Sequence, residues 1–423
     1  MKIVLPLLFA FTTCCLSGQW TTIRHDSVNI FDEGYFINED TGYAIGEEYL
    51  SGVHALILRT HDGGVTWDST QFPSGYGMGC ISIPTPLVGY AGGRDCVINK
   101  TVDGGDTWFE VPPFPWGFND LFDFNFINAD TGFAIDSGGW IWRTTDGANT
   151  WDTVYTPAGL WVEHLGFPNE GNMQFVNDTL AFAAVGENGL IVKSLDGGNS
   201  WMEISVGDTT IHVNAIFMIN ADTGVAVGRQ GKYVRTTDGG ATWSNVMQVP
   251  NAICYLMDVI FFNDSVGYMV GGRDSYNWPP SPVNYGLIYA STDGGLSWTL
   301  TDSLDRGWLT ALHKVNDSVA FCFGWDGRVL KISNPNQYVG AGEPTESVDV
   351  SVYPNPVSTM LVVRCSNQEI YSLRIYDCFG RIVRESEFQS TAVVPVEYLP
   401  SGIYYWDVIS KDKLCSRGKF LKQ

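Results

Sequence analysis

Six times the chain writes a short phrase whose residues could either hold a cation or build a turn. The copies are "RTHDGGVTW" at Asp62, "KTVDGGDTW" at Asp103, "RTTDGANTW" at Asp146, "KSLDGGNSW" at Asp196, "RTTDGGATW" at Asp238 and "ASTDGGLSW" at Asp293. Each ends on a tryptophan: Trp67, Trp108, Trp151, Trp201, Trp243 and Trp298. A calcium loop needs further oxygen ligands at alternating positions and a closing glutamate, and these phrases have neither. The mechanical alternative needs no ligand. An aspartate can accept backbone N–H groups of its own turn, the glycines permit positive φ, and the Ser/Thr hydroxyl adds a bond. The tryptophan then starts a strand and covers the turn. Arg59, Lys100, Arg143, Lys193 and Arg235, which precede five of the boxes, belong to the same construction as strand-end residues. Other chemistry is thin. The six histidines are isolated, with no HExxH, and there is no GxSxG elbow. His164 and His212 are therefore loop or core residues, and no catalytic, metal or cofactor residue is assigned.

The boxes recur at intervals of 41 to 55 residues, the length of one four-stranded sheet with its turns. Upstream of them lies a second phrase: "FINEDTGYAIG", "FINADTGFAID", "FVNDTLAFAAVG", "MINADTGVAVG" and "FFNDSVGYMVG", with a looser "SIPTPLVGYAGG" in the second unit. An apolar run that meets an Asn/Asp turn and continues as another apolar run is a hairpin. Each unit thus reads strand, turn, strand, loop, strand, box, strand. A seventh set, "ALHKVNDSVAFCFGWDGRVLKISNPN", has Asn334 and Pro335 where a box would begin and no tryptophan strand after it. The missing strand stands at the other end of the chain, where Trp20 opens "WTTIRH". Seven units completed by an N-terminal strand make a closed ring, which leaves no sheet without a neighbour.

Residues 1–18 have the form of a secretory leader, with Lys2, an apolar run and small residues before Gln19. No later stretch reaches the roughly 20 apolar residues that span a bilayer, so no membrane-spanning segment is expected. Seven cysteines remain after the leader, without a CxxC. They indicate neither a disulfide framework nor a zinc site, although a single bridge such as Cys80 with Cys96 stays open. Residues 19–340 carry 14 basic and 36 acidic side chains. Such a surface is repelled by nucleic acid and by anionic lipid, and neither is expected as a partner.

The boxes resemble the Asp-box, or BNR, repeat, and their pairing with "TGYAIG"-type hairpins is most similar to the photosystem II assembly and stability factor-like propellers, over roughly residues 20–335. Sialidases carry such boxes, and that resemblance implies three arginines clamping a carboxylate and a Tyr–Glu pair. Only nine arginines lie in residues 19–340, Arg59, Arg143 and Arg235 stand at boxes, and "TIRHDS" around Arg24 replaces the Arg-Ile-Pro motif. A carboxylate pair for other glycoside hydrolysis exists somewhere by number alone and gets no support from composition. After "NPNQYVGAGEP", a linker at 336–347, come alternating strands with turns at "YPNP", "DCFG" and "LPSG", the pattern of a small β-sandwich. These landmarks and the ending at Lys419, Phe420 and Lys422 resemble the C-terminal sorting domain of the type IX secretion system of Bacteroidetes. That likeness implies the secretion machinery as a partner, passage of the outer membrane, and removal of the tail with release or attachment through a lipopolysaccharide.

The expected fold is all-β, a seven-bladed β-propeller (19–335) followed by a small Ig-like β-sandwich (348–423), in a protein secreted or held at the outer cell surface. The second-to-third-strand loops and the inter-blade connections open on one side of the ring, opposite the boxes. Arg94, Arg229 and Arg273 follow "GG" or "VG" hairpins there, with Glu47, Asp136, Glu187 and Trp325 at the matching places. Two insertions on that side bring Trp161, Phe167, Tyr276, Trp278 and Tyr285. Aromatic platforms flanked by arginines suit a glycan or a protein ligand. A non-catalytic recognition or scaffold module is the favoured role, ahead of a secreted sialidase-like glycoside hydrolase or an envelope complex assembly factor.

Overall fold

The computed structural model describes residues 20–422 except 27–28, 49–53, 72–76, 113, 115–119, 158–170, 186–188, 209, 251–253, 274–284, 305–306, 334, 336–349, 355–356, 366–369, 377–381, 401 and 411–412. Residues 18–336 form one compact unit and residues 337–423 belong to a second. The first holds seven four-stranded antiparallel sheets. Their inner strands are Asn29–Phe36, Met78–Ser82, Leu121–Phe126, Met173–Phe175, Val213–Met218, Cys254–Phe261 and Leu309–Lys314. Each inner strand lies against those of the blades before and after it, and the seventh lies against the first, so the ring is closed. Its seam is the expected one. Thr21–Arg24 is the outermost strand of blade seven, with Thr21 opposite Lys331 and Thr22 opposite Leu330. The Trp20 indole stands edge-on to Tyr268 of blade six.

The second strands, such as Gly42–Glu48, Gly89–Gly93 and Gly224–Gly228, are buried on both faces. Small and large residues alternate along them for a steric reason. Tyr43 and Ile45 pack forward on Ile81 and Ala91 of blade two, while Ala44 receives Phe321 and Phe323 of blade seven behind it. Ala134 likewise receives Tyr90, and Ala226 receives Phe182. An alanine facing each incoming aromatic lets neighbouring sheets close-pack at native density.

The two repeated phrases meet in space. The first box glycine donates its N–H to a carbonyl of the Asn/Asp turn in the same blade: Gly63 to Asp40, Gly147 to Asp130 and Gly239 to Asp222, at 2.8–2.9 Å. In the box at Asp238, Oδ1 accepts the Thr242 N–H at 2.8 Å and Oδ2 the Thr242 hydroxyl at 2.6 Å. Gly239 and Gly240 take φ of 66° and 77°. One partner was not anticipated. The hydroxyl two residues upstream, Thr236, donates to Asp238 Oδ1 at 2.9 Å and accepts the buried Gly240 N–H at 2.9 Å. Thr60, Thr101, Thr144, Ser194 and Ser291 repeat this.

The cations before the boxes tie one blade to the next. Lys100 passes over the Tyr90 face, 5.1 Å from its centroid, and donates to Gly147 O at 3.1 Å. Lys193 reaches Gly239 O at 2.7 Å, Arg235 reaches Gly294 O at 2.8 Å, and Arg59 pairs with Asp106.

The second unit comprises a three-stranded sheet, ordered Val350–Tyr353, Met360–Cys365, Thr391–Pro395, and a four-stranded sheet, ordered Ile382–Gln389, Ile370–Tyr376, Gly402–Ser410, Lys413–Lys422. Alternate residues point inward to one core that includes Leu361, Val363, Leu373, Val394 and Trp406. This is the anticipated sandwich.

Candidate functional site

At the face opposite the boxes, the hairpin loops of blades two, five and seven are built alike. The N–H of the residue just past the second strand returns to the carbonyl before or at the start of the inner strand: Arg94 to Gly77 at 3.2 Å, Arg229 to His212 at 3.1 Å and Trp325 to Trp308 at 2.9 Å. The next residue is left-handed, with φ of 56° at Asp95, 60° at Gln230 and 71° at Asp326. Equivalent backbones set Arg94, Arg229 and Trp325 at equivalent positions.

The remaining assignments shift by register. In six blades the inner strand carries a bulge, between Phe31 and Glu33 in blade one and between Leu256 and Asp258 in blade six. Counting from the bulge, Glu47 of blade one corresponds to Gly272, so Arg273 lies one residue beyond the position of Arg94 and Arg229. In blade three Ser137, not Asp136, holds that place. The Asp136 carboxylate is used inside its own loop, accepting the Gly138 and Trp140 N–H groups and the Trp142 indole N–H at 2.9–3.1 Å.

Around the mouth, neighbouring blades join in an arc. The Arg229 guanidinium lies 5.8 Å from the Tyr255 ring centroid, Tyr255 stacks on Trp308 at 5.3 Å, and Trp308 stacks on Trp325 at 5.2 Å and 6°. Trp308 and Trp325 are only 3 % and 5 % exposed, so they support the arc from below. Beside them, Asp32 and Glu47 are 4 % and 2 % exposed. Arg94 caps this acidic end, 3.4 Å from Glu47 and itself partly exposed. Burial first, then the Glu47 charge, pushes the Asp32 carboxyl well above its usual range, with Arg94 and the Trp325 indole pulling back. Burial also raises Glu47, against Arg94 and the Gly77 amide. The arc therefore offers a cation on an aromatic face at one end and an arginine over buried acids at the other.

Below the mouth, three inner strands carry an acid just past the bulge. Glu33, Asp123 and Asp258 accept the N–H of Ile81, Met173 and Leu312 in the following blades at 2.8, 2.6 and 2.7 Å. Burial raises Asp123 to about 8 and Asp258 to about 7. Burial, reinforced by the charge of Asp123, drives Glu33 well above its usual range. Asn172 and Gln174 make the same bridge with neutral amides, to Ile216 and Met218 at 2.8 and 2.5 Å. Sequence reasoning missed these residues. Their signal is an acid inside an apolar run, single in "LFDFNF" and "CYLMDVIF" and doubled as Asp32–Glu33 in "NIFDEGYF".

Trp161, Phe167, Glu187, Tyr276 and Trp278 lie outside the described residues, and Arg273 is described only in its backbone. Tyr285, opposite Arg273, is exposed. Cys80 and Cys96 are both buried and unbridged, and the Cys80 thiol turns to Gly92 O at 3.4 Å. Among the described residues no group of acids, histidines and cysteines is arranged to hold a metal ion, and no helix is long and apolar enough to cross a membrane.

Residues 351–423 match the secretion system C-terminal sorting domain family. No curated protein sequence matches the chain. Among solved structures the chain is similar to YCF48 bound to a D1 peptide, with 17 % identity and a TM-score of 0.58 over 74 % of this chain and 97 % of that one. YCF48 from Cyanidioschyzon merolae aligns at 18 % identity and a TM-score of 0.55 over 75 % and 99 %. PorZ, an essential bacterial surface component of the type-IX secretion system of Porphyromonas gingivalis, aligns at 13 % and 0.50 over 93 % of this chain and 59 % of that one. The first part of the chain is thus a β-propeller, and a type IX sorting tail directs it to secretion or the cell surface.

Proposed function

We propose that this exported propeller is a non-catalytic recognition module that holds a partner across the mouth of its ring. The observation that carries this reading is the arc from Arg229 over Tyr255 to the stacked Trp308 and Trp325, ending at Arg94. A flat or apolar group fits beside Tyr255, and an anionic group fits either arginine. The solved likeness of this fold with a bound peptide supports it. A hydrolytic role would draw its acids from Asp32 and Glu47, but both are buried and Arg94 stands over Glu47, which keeps a sugar from reaching them.

The test applies the full chain to glycan and acidic-peptide arrays beside the double variant Arg94→Ala/Arg229→Ala. The expected result is retention of at least one probe class by the wild type, lost in the variant although circular dichroism shows its sheets intact; its Tm should fall, because Arg94 offsets the buried Asp32 and Glu47 charges. Equal retention by both proteins overturns the reading. So does turnover of aryl glycosides that Asp32→Asn abolishes, which favours the hydrolase. If the partner is instead one envelope protein, recovered from cells by the wild type and not by the double variant, the same face serves an assembly role.

A further inference from the structure

A sorting tail acts only through a surface that another molecule reads, and one face of this tail breaks the rule of alternation. In an exposed antiparallel sheet the outward residues are polar. On the four-stranded sheet Arg374 and Glu385 face outward as a pair at 2.7 Å, and its exposed apolar residues Ile370 and Tyr405 are not paired with each other, Ile370 lying opposite Gln389 and Tyr405 opposite Tyr376. On the three-stranded sheet the outward row is Tyr353, Val362 and Val393, directly opposite one another across the three strands. The next row adds Met360 opposite Pro395. Val393 is 60 % exposed, Met360 47 % and Tyr353 39 %. Arg364 belongs to the row on the other side, its guanidinium 5.9 Å from the Tyr353 ring centroid. The inward residues of the same strands, Leu361, Val363 and Val394, already fill the core. The outward apolar row therefore lies outside the core and adds at most cross-strand pairing.

We propose that this outer face, centred on Tyr353, Val362 and Val393, is the surface by which the export apparatus reads the tail, and that its partner presents an apolar surface with an acidic side chain opposite Arg364. Three points select that occupant. The patch lies wholly within the matched sorting segment. Among the described residues its outward apolar side chains number five, Tyr353, Met360, Val362, Val393 and Pro395, against the roughly 20–30 residues a side of a stable interface, which disfavours a second copy and suits a cargo that must be released. Arg364 is the one basic group on the two central rows of this face among the described residues, and it gives the contact its sign.

The experiment expresses the full chain in a cell that has the secretion system and measures how it divides between periplasm and exterior. Val393→Glu is expected to leave at least ten-fold more protein in the periplasm, Arg364→Glu several-fold more, and Glu387→Lys on the opposite sheet no more than wild type. The purified chain should keep its Tm in each case. Should Val393→Glu unfold the tail, Val393→Thr, which conserves shape and strand preference, still reads the face and should slow export. Wild-type export of Val393→Glu together with Met360→Glu overturns the proposal. So does a wild-type dimer that Val393→Glu dissociates, because the face would then serve self-association.

Discussion

The carboxylates of this chain are pulled in opposite directions by their surroundings. Box aspartates Asp62, Asp103 and Asp196 are held at about 2, first by the Ser/Thr hydroxyl and then by the amide of their own turns. An unfolded aspartate titrates near 3.9, so what the boxes contribute is present above pH 4 and lost as the pH falls toward 2. Asp258 behaves inversely. With its folded value raised to about 7 by burial, it is harmless below pH 4 and destabilises increasingly as pH rises from 4 to 7. Asp258→Asn keeps an acceptor for the Leu312 N–H and removes the charge. We expect equal melting of the variant and wild type at pH 4, and a variant more stable by about 1–3 kcal/mol at pH 8. Comparing the two proteins at each pH cancels His313, which burial lowers to about 4, whereas Glu33 and Asp123 are themselves raised in part by the Asp258 charge, so their relief is part of the measured difference. A second expectation concerns Thr236. Thr236→Val keeps the shape but orphans the buried Gly240 N–H, which should cost about 1–3 kcal/mol in chemical denaturation. A hydroxyl at this place precedes every box and was visible in the sequence. Its role was not, because the amide it accepts from lies four residues on, inside the turn.

At the scale of elements, what was legible was local. Box and Asn/Asp turn are each specified by adjacent residues, so their chemistry could be read directly. The inter-blade straps could not, since Lys193 and its acceptor Gly239 are 46 residues apart and meet only when two sheets stack. The register of Arg273 could have been counted: Arg94 and Arg229 stand five positions after Gly89 and Gly224, but Arg273 stands six after Gly267, and the inner-strand bulge common to the three blades does not alter that count. The straps lead to an expectation. Lys193→Met retains the packing of the stem over Phe182 but loses the bond to blade five. It should cost about 1 kcal/mol, with faster hydrogen exchange confined to the facing turns of blades four and five. Loss of protection throughout the ring would show that the strap is not local. A box glycine is less forgiving. A Cβ on Gly197, at φ +71°, would stand 2.7 Å from Asp178 O, so Gly197→Ala should lower Tm more than Lys193→Met does.

For the whole molecule, ring closure was legible because the last unit lacked a strand that the first residues could supply. The buried acids Glu33, Asp123 and Asp258 were not, because an acid in an apolar strand reads as a surface residue until the seven inner strands are set around an axis. Closure puts weight on a few residues. Trp20→Ala should cost about 3 kcal/mol, the usual loss for a large aromatic removed from a packed site, measured as a lower denaturation midpoint. A loss below about 1 kcal/mol would mean that the seam holds without the indole. The same seam decides how the molecule answers to load. Thr21 and Lys331 are neighbours, so tension between the front of the chain and a tail gripped at the cell surface falls on that single strand pair and peels it bond by bond. Blades one to six lie outside the line of pull until the short strand has come away, and a mechanical trace should show that small release before any larger rupture.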